Sequence, residues 1–259
     1  MAGGPCVEAE EATDWTGRSF SCSDCPHREM RESGRCVLGR VCVRDVRAKR
    51  IDKFFAGNPA LAGRYLDHPY FEVRTLATKH ASLFEIARMM DDREAEVRAM
   101  AAMRLPLARV KDMRRDRDRK VRIACAMRLD GADLLSMARD EDYYVRLTVA
   151  RRLDPALLPV AIDDPEPEVR RTVARRLPAE RLAALAGDPD PLVRREAAER
   201  IAPGALILFA ADDDLRVRYV VAERAPLDIV ARLKNDADEA VAEMARRRLA
   251  PAEIGEQET

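Results

Sequence analysis

The sequence predicts an all-α fold: a solenoid of 24-residue repeats behind a small cysteine-rich N-terminal domain. Three observations carry that prediction. The dipeptide Val-Arg returns at every twenty-fourth position, at Val73, Val97, Val121, Val145, Val169, Val193 and Val217, and an eighth step lands on Val241. Apolar residues follow each Val at four and eight positions, which is one stripe of an α-helix. No segment alternates apolar and polar residues with period two, so no strand is expected. Stacking such units buries a core that no unit buries alone. With helices about 8–10 Å apart, eight units would span roughly 70 Å, with one concave and one convex face.

The first element along the chain is a cysteine cluster. Cys22, Cys25, Cys36 and Cys42 follow the pattern C-x2-C-x10-C-x5-C. Four thiolates so close in sequence can surround one centre, and four-Cys sites hold zinc or an iron–sulfur cluster. Structural zinc sites commonly use two C-x2-C knuckles. The second pair here is C-x5-C, which weakens the zinc reading without removing it. Cys25-Pro26 is a weak ferredoxin-like cue. Residues 26–50 carry eight basic side chains against three acidic ones. That excess suits a negatively charged cluster and an ordinary solvated surface equally. A thiol–disulfide role is a third reading, with no thioredoxin-like βαβ unit beside it. Cys6, in an acidic tail, reads as a free thiol, and Cys125, in an apolar column, reads as core. His27 reads as exposed, with a spare ligand as the alternative. His68 and His80 are assigned no chemistry.

The α-helix of each repeat follows. Counting from the Val, position four holds Ala77, Ala101, Cys125, Val149, Val173, Ala197, Val221 and Ala245. Position eight holds Ala81, Leu105, Leu129, Leu153, Leu177, Ile201, Ala225 and Leu249. Ala stands at position five in the six inner repeats, from Ala102 to Ala222, where it lets neighbouring helices approach closely. A shorter element comes next, marked by apolar pairs such as Val110 and Met113 or Leu206 and Phe209. A spacing of three suits a 3-10 helix, and one α-turn satisfies it too. Glu166-Pro167 and Asp190-Pro191 are helix-start signals.

Charge keeps the same register. The chain has 46 basic and 46 acidic residues, and 36% of it is charged, against roughly 25% in an average domain. Asp recurs at position nineteen and an acid at twenty-one, before each helix. Arg recurs at position seven, in the last helical turn, where the helix dipole favours it. These columns are expected to be structural. The Arg beside the Val is more open: Arg74, Arg98, Arg122, Arg146, Arg170, Arg194 and Arg218 are candidate groove contacts for phosphates or carboxylates. The acidic columns would oppose nucleic-acid binding unless they face away. Zero net charge argues against a generic polyanion binder. With 47% apolar and 5% aromatic residues, the core should be largely aliphatic.

No targeting signal is read in the acidic first fifteen residues. The longest apolar run, residues 205–211, is too short to span a bilayer. A soluble, cytoplasmic protein with reduced cysteines is expected. The domain reading is 1–52 for the cysteine-rich part with its acidic N-terminus. Repeats follow over 53–250, with 72 and before a degenerate cap, and 251–259 form an acidic tail.

Together, the 24-residue repeat and the four clustered cysteines resemble the leucine-rich repeat variant (LRV) proteins with an N-terminal [4Fe–4S] domain. The resemblance covers nearly the whole chain. It implies a right-handed superhelical solenoid alternating α- and 3-10 helices. It also implies a cluster bound by Cys22, Cys25, Cys36 and Cys42, in a family associated with nitrogen-fixing bacteria whose biochemical role is not established. The last repeat departs from the pattern at Ala242 and Arg246, as a cap would. Ordinary leucine-rich repeats need an L-x-L strand motif, absent here. The phycobilin-lyase-type HEAT repeats that DPEPEVRRTVARRL resembles have a longer period than this one. No Ser/His/Asp set, phosphate loop or paired acid and base emerges, so no enzyme is expected. The favoured expectation is a protein-binding scaffold with a structural or redox-sensing [4Fe–4S] cluster. The alternatives are an electron-transfer protein or a nucleic-acid binder using the Arg columns, with zinc as the alternative metal.

Overall fold

The structure, a computed structural model, describes residues 12–23 and 25–255, with side chains as far as residue 250. Cys6, the acidic N-terminal stretch and the last four residues lie outside the described residues. Helices build nearly everything after residue 47, and the described residues contain no strand, only two isolated bridges. Two compact units divide the chain, Met1–Leu129 and Asp130–Thr259. Helices Ala48–Gly57, Phe71–His80, Ala95–Arg104 and Arg119–Arg128 pack in succession in the first. In the second, Tyr143–Arg152, Pro167–Arg176, Pro191–Arg200, Leu215–Arg224 and Glu239–Gly255 do the same.

From Phe71 onward an α-helix starts at every twenty-fourth position, and each but the last is ten residues long. The repeat Val lies near the helix start and is sealed from solvent in every unit. The Ala column from Ala102 to Ala222 is sealed as well, so a larger side chain there would force the helices apart. Position twenty-one is the N-cap. Asp118, Asp142, Asp190 and Asp214 accept main-chain N–H groups of the first turn, whereas Glu94 and Glu166, one methylene longer, make no such bond. Each helix stops where position eight drops into extended backbone, as at Leu105 and Ile201.

The shorter element takes both forms that its spacing allows. Pro59–Tyr65, Pro155–Ala161, Ala179–Leu185 and Pro203–Phe209 are 3-10 helices. Leu107–Met113 and Gly131–Leu135 are α-helical. Pro159, inside its segment, removes a donor that a full α-ladder would need. The boundary read at residue 52 falls inside the Ala48–Gly57 helix, which buries Ile51, Phe54 and Phe55. This helix opens the succession of packed helices, ahead of Phe71–His80. It lacks the Val-Arg marker because aromatic residues replace the aliphatic stripe. At the other end, the last helix takes in residues 251–255 of the acidic tail.

The first Arg column is engaged by the chain's own carboxylates and carbonyls, and even Arg146, which lines a surface cavity, is forked on Asp164, so the geometry corrects the expectation of open groove contacts. Arg98 donates through Nε and Nη2 to both carboxylate oxygens of Asp116, at 2.7 and 2.8 Å. Its Nη1 donates to the main-chain oxygens of Asp92 and Arg93, at 2.8 and 3.2 Å. Arg74–Asp92, Arg146–Asp164, Arg170–Asp188, Arg194–Asp212 and Arg218–Asp236 repeat the fork. Arg122 is buried and donates to the carbonyls of Asp116 and Arg117. Position one thus reaches position nineteen of its own repeat. Asp116 also accepts the N–H of Asp118 at 2.8 Å, which fixes the turn before the next helix. A guanidinium engaged on so many sides offers little to an outside anion.

The second Arg column acts between repeats. Arg104 donates to the carbonyls of Thr78 and Ala81, at 2.9 and 2.5 Å. Arg200 reaches Ala174 and Leu177 at 2.7 and 2.8 Å, and Arg248 reaches Ala222 and Ala225 at 3.1 and 2.7 Å. These carbonyls end the preceding helix and have no partner within it.

The forks make stability depend on acid. Burial alone would raise the Asp92 and Asp116 carboxyls, but the Arg74 and Arg98 forks and a main-chain N–H outweigh it, so both lie below the ordinary value. Asp236 is lowered foremost by Arg218. A carboxyl lowered in the folded state adds stability that is present above its unfolded pKa and lost as pH falls through the folded one. Urea midpoints are therefore expected to stay level down to about pH 5 and to fall below about pH 4. A midpoint that rose on acidification would contradict the forks.

Candidate metal centre

Two local structures bring the four cysteines into one neighbourhood. The first is the turn at Cys22–Cys25, where the Cys25 N–H donates to the Cys22 carbonyl at 3.3 Å. A 3-10 turn, Arg28–Arg31, leads away from it. The second is a small hairpin. Val37 and Val41 exchange both N–H···O bonds, each 2.8 Å, around a three-residue loop in which Gly39 takes φ +72°. Residues next to such a doubly bonded pair form the narrow, non-hydrogen-bonded pair, whose side chains stand closest. Cys36 and Cys42 occupy those places. The C-x5-C spacing is therefore the spacing of a tight hairpin and does the work of a shorter knuckle.

Cys25, Cys36 and Cys42 are buried and Cys22 is partly exposed. All four carry free thiols. The Cys36 thiol donates to Cys42 and draws the Cys42 pKa down against burial. The N–H groups of Arg44 and Asp45 pull the same way. Cys36 is pushed up by that same bond, then by burial and by the nearby Cys42, Cys25 and Cys22. The four sulfurs thus share one electrostatic field. Among the described residues, no three His, Cys, Asp or Glu side chains form a group that could hold a metal ion as placed. The cysteines are gathered but not closed. By chemistry the donor set fits a thiolate-bound centre: four sulfurs, three of them buried, with main-chain donors aimed at one.

Buried polar groups hold this loop against the first helices. Asp45 accepts from the Arg47 N–H at 2.9 Å and from Arg50 Nη1 at 2.8 Å. Asn58 donates to the carbonyls of Arg35 and Phe54, at 3.0 and 2.8 Å. His27, expected to be exposed, is buried, and its Nε2 lies 2.5 Å from the Tyr65 hydroxyl. Its ring packs on Phe54 with centroids 5.1 Å apart. Burial lowers the His27 pKa and Arg64 adds to it, which favours the neutral ring. Tyr65 is pushed up to about 12 by burial and then by Cys25, Cys42 and Cys36, so it stands beside the sulfurs. Trp15 stacks on Tyr70 at 6.0 Å.

Sequence reading missed this aromatic wall, although a signal was present. Seven of the twelve aromatic residues (Trp15, Phe20, Phe54, Phe55, Tyr65, Tyr70 and Phe71) fall at or before Phe71, in a chain whose repeats are otherwise aliphatic. His68 accepts the Tyr70 N–H, and His80 pairs with Asp52 at 2.7 Å. Cys125 is core: it is fully buried, its Sγ faces the Val110 carbonyl at 3.6 Å, and burial pushes its pKa to about 12.

Comparison with known proteins agrees with both halves of this picture. Residues 12–64 match the family described as LRV protein FeS4 cluster. Residues 167–190 match the leucine rich repeat variant family. A solved structure, described as a leucine-rich repeat variant with a novel repetitive protein structural motif, is 35% identical. It superimposes with a TM-score of 0.83 over 89% of this chain and 99% of that one. An uncharacterized 27.7 kDa protein in the nifB 3' region of Rhodobacter capsulatus is 48% identical over 87 residues, which is 34% of this chain and 36% of that protein.

Proposed function

Since the chain belongs to the leucine-rich repeat variant family and carries an iron–sulfur domain of that family, we propose that it is a non-catalytic scaffold. In this reading it binds a protein partner and carries a [4Fe–4S] cluster on Cys22, Cys25, Cys36 and Cys42. The observation that carries the reading is the pairing of a C-x2-C turn with a cysteine hairpin that shares its electrostatic field. When bound, such a cluster supplies a one-electron couple and a covalent tie among its ligands. The chain's own residues do the rest. The hairpin presents Cys36 and Cys42 side by side, the Arg44 and Asp45 N–H groups stabilise the Cys42 thiolate, and the Phe54–His27–Tyr65 wall excludes water. Cys22, Cys25, Cys36 and Cys42 would hold such a cluster, and their convergence would be coupled to its binding.

The repeats support a scaffold more than a nucleic-acid binder, because both Arg columns are spent on carboxylates and helix-end carbonyls. No helix among the described residues is long and apolar enough to cross a membrane. Cluster-ligating thiolates would suit the reducing cytoplasm. The relative encoded in the nifB 3' region supports a partner within nitrogen-fixing metabolism.

Anaerobic purification should yield about four irons and four sulfides per chain, with little zinc. Stoichiometric zinc without iron would overturn the cluster. Cross-linked capture from native extract by the loaded chain should yield a specific protein, and recovery of none would remove the scaffold reading.

A further inference from the structure

The charge balance breaks at a second place, inside the repeats. Between the apolar start of the short element and the next N-cap, six repeats carry more acid than base. The exception is 107–118, with five basic residues against three acidic ones. Two of those acids are already engaged. Asp116 is held in the Arg98 fork, and Asp118 caps the following helix at the Lys120 N–H. Asp112 alone faces solvent without such a role. Arg109, Lys111, Arg115 and Arg117 are exposed, Arg114 is half-buried, and none of these five forms an ion pair among the described residues.

The fold concentrates these cations. The Leu107–Met113 helix buries Val110 and Met113 and turns Arg109 and Lys111 outward. Arg114, Arg115 and Arg117 follow in the turn. The patch is confined to one repeat, because the helix is about 10 Å long. The equivalent segment of the preceding repeat, 83–94, carries four acids against two bases. A nucleic-acid backbone, with its charges evenly spaced, would run from the patch onto those acids. Residues 95–128 contain no aromatic side chain on which a base could stack, and the exposed Phe84 of the preceding segment stands among those acids. Exposed apolar side chains do stand close by in the chain, at Met103, Leu107 and Met127.

We propose that the patch at Arg109, Lys111, Arg114, Arg115 and Arg117 docks an acidic segment of a protein partner. This rests on the scaffold reading and names the chemistry of its partner. Steering by such a patch raises the association rate and weakens with salt.

The test uses the full, cluster-loaded chain and a fluorescent twelve-residue peptide of Glu and Asp, with duplex DNA of random sequence as competitor. Replacing Arg109, Lys111, Arg115 and Arg117 by Gln should weaken peptide binding by at least about tenfold. Replacing four exposed residues elsewhere, Arg181, Arg232, Lys234 and Arg247, by Gln should not. Where circular dichroism shows that the fourfold variant is misfolded, Arg115→Gln with Arg117→Gln should still weaken binding about threefold or more. Equal weakening by the two fourfold variants, or tighter binding of DNA than of peptide, would overturn the patch. Continued capture of the partner by the substituted chain would also remove the patch and leave the scaffold standing. An unmodified chain that binds peptide through these residues but captures no protein would instead remove the scaffold reading.

Discussion

Serine in place of Cys36 or Cys42 should reduce the iron content of anaerobically purified protein by at least about tenfold, because a thiolate ligand and its share of the coupled folding energy are both lost. Both residues are buried on the narrow pair of the hairpin, where a hydroxyl has neither the softness nor the reach of a sulfur. Cys22→Ser and Cys25→Ser should act in the same direction. Cys125→Ser is the control. It sits fully buried in the helical core against the Val110 carbonyl, and the substituted chain should keep its iron. The repeats should unfold in urea at an unchanged midpoint in the hairpin variants, because their core of Val, Ala and Leu does not include the sulfurs. Iron kept by Cys36→Ser, or iron lost by Cys125→Ser, would remove the ligand assignment.

Breaking one fork should cost more than any surface change. In Arg170–Asp188 both side chains are less than a tenth exposed, and the two forked bonds measure 2.7 and 2.9 Å. Arg170→Ala leaves the carboxylate buried with no counter-charge, and about 3–5 kcal/mol of stability should be lost. The carbonyls of Asp164 and Pro165 lose their donor in the same step. Arg181→Ala, at an exposed position, should stay within about 0.5 kcal/mol of the parent. Replacing both partners, Arg170→Met with Asp188→Leu, should recover much of the loss, since no unpaired charge remains. Urea unfolding of the four chains provides the comparison. A double variant less stable than Arg170→Ala would mean that the fork is not the dominant interaction there.

The two experiments bear on different kinds of legibility. Cys22, Cys25, Cys36 and Cys42 could be chosen from spacing alone, yet C-x5-C looked like an imperfect knuckle. Gly39 and the Val37–Val41 bridge make it a proper pair, and that depends on a turn geometry the spacing does not reveal. His27 reads as exposed from its neighbours for a similar reason. Nothing near it in sequence announces that Tyr65, far along the chain, will cover it. The patch at 109–117 was visible as composition but hidden by a chain-wide total of zero. It stands out only when each repeat is compared with the others and when Asp116 is known to be occupied.

The helical register, the placement of the Val and Ala columns on one face and the acidic caps were all determined by the sequence itself. Each depends on neighbours within about two helical turns, where 3.6-residue periodicity and end-capping act directly. The destination of each arginine was decided by tertiary structure. Arg98 finds Asp116 eighteen residues on, and Arg104 finds the carbonyls of Thr78 and Ala81 one helix back. Neither reach follows from local preference: the first closes when the turn after the short element folds back beside its own helix, the second when successive repeats pack. The same holds for the cysteines. Their number and order are sequence, but their convergence is a turn, a hairpin and an aromatic wall folded together.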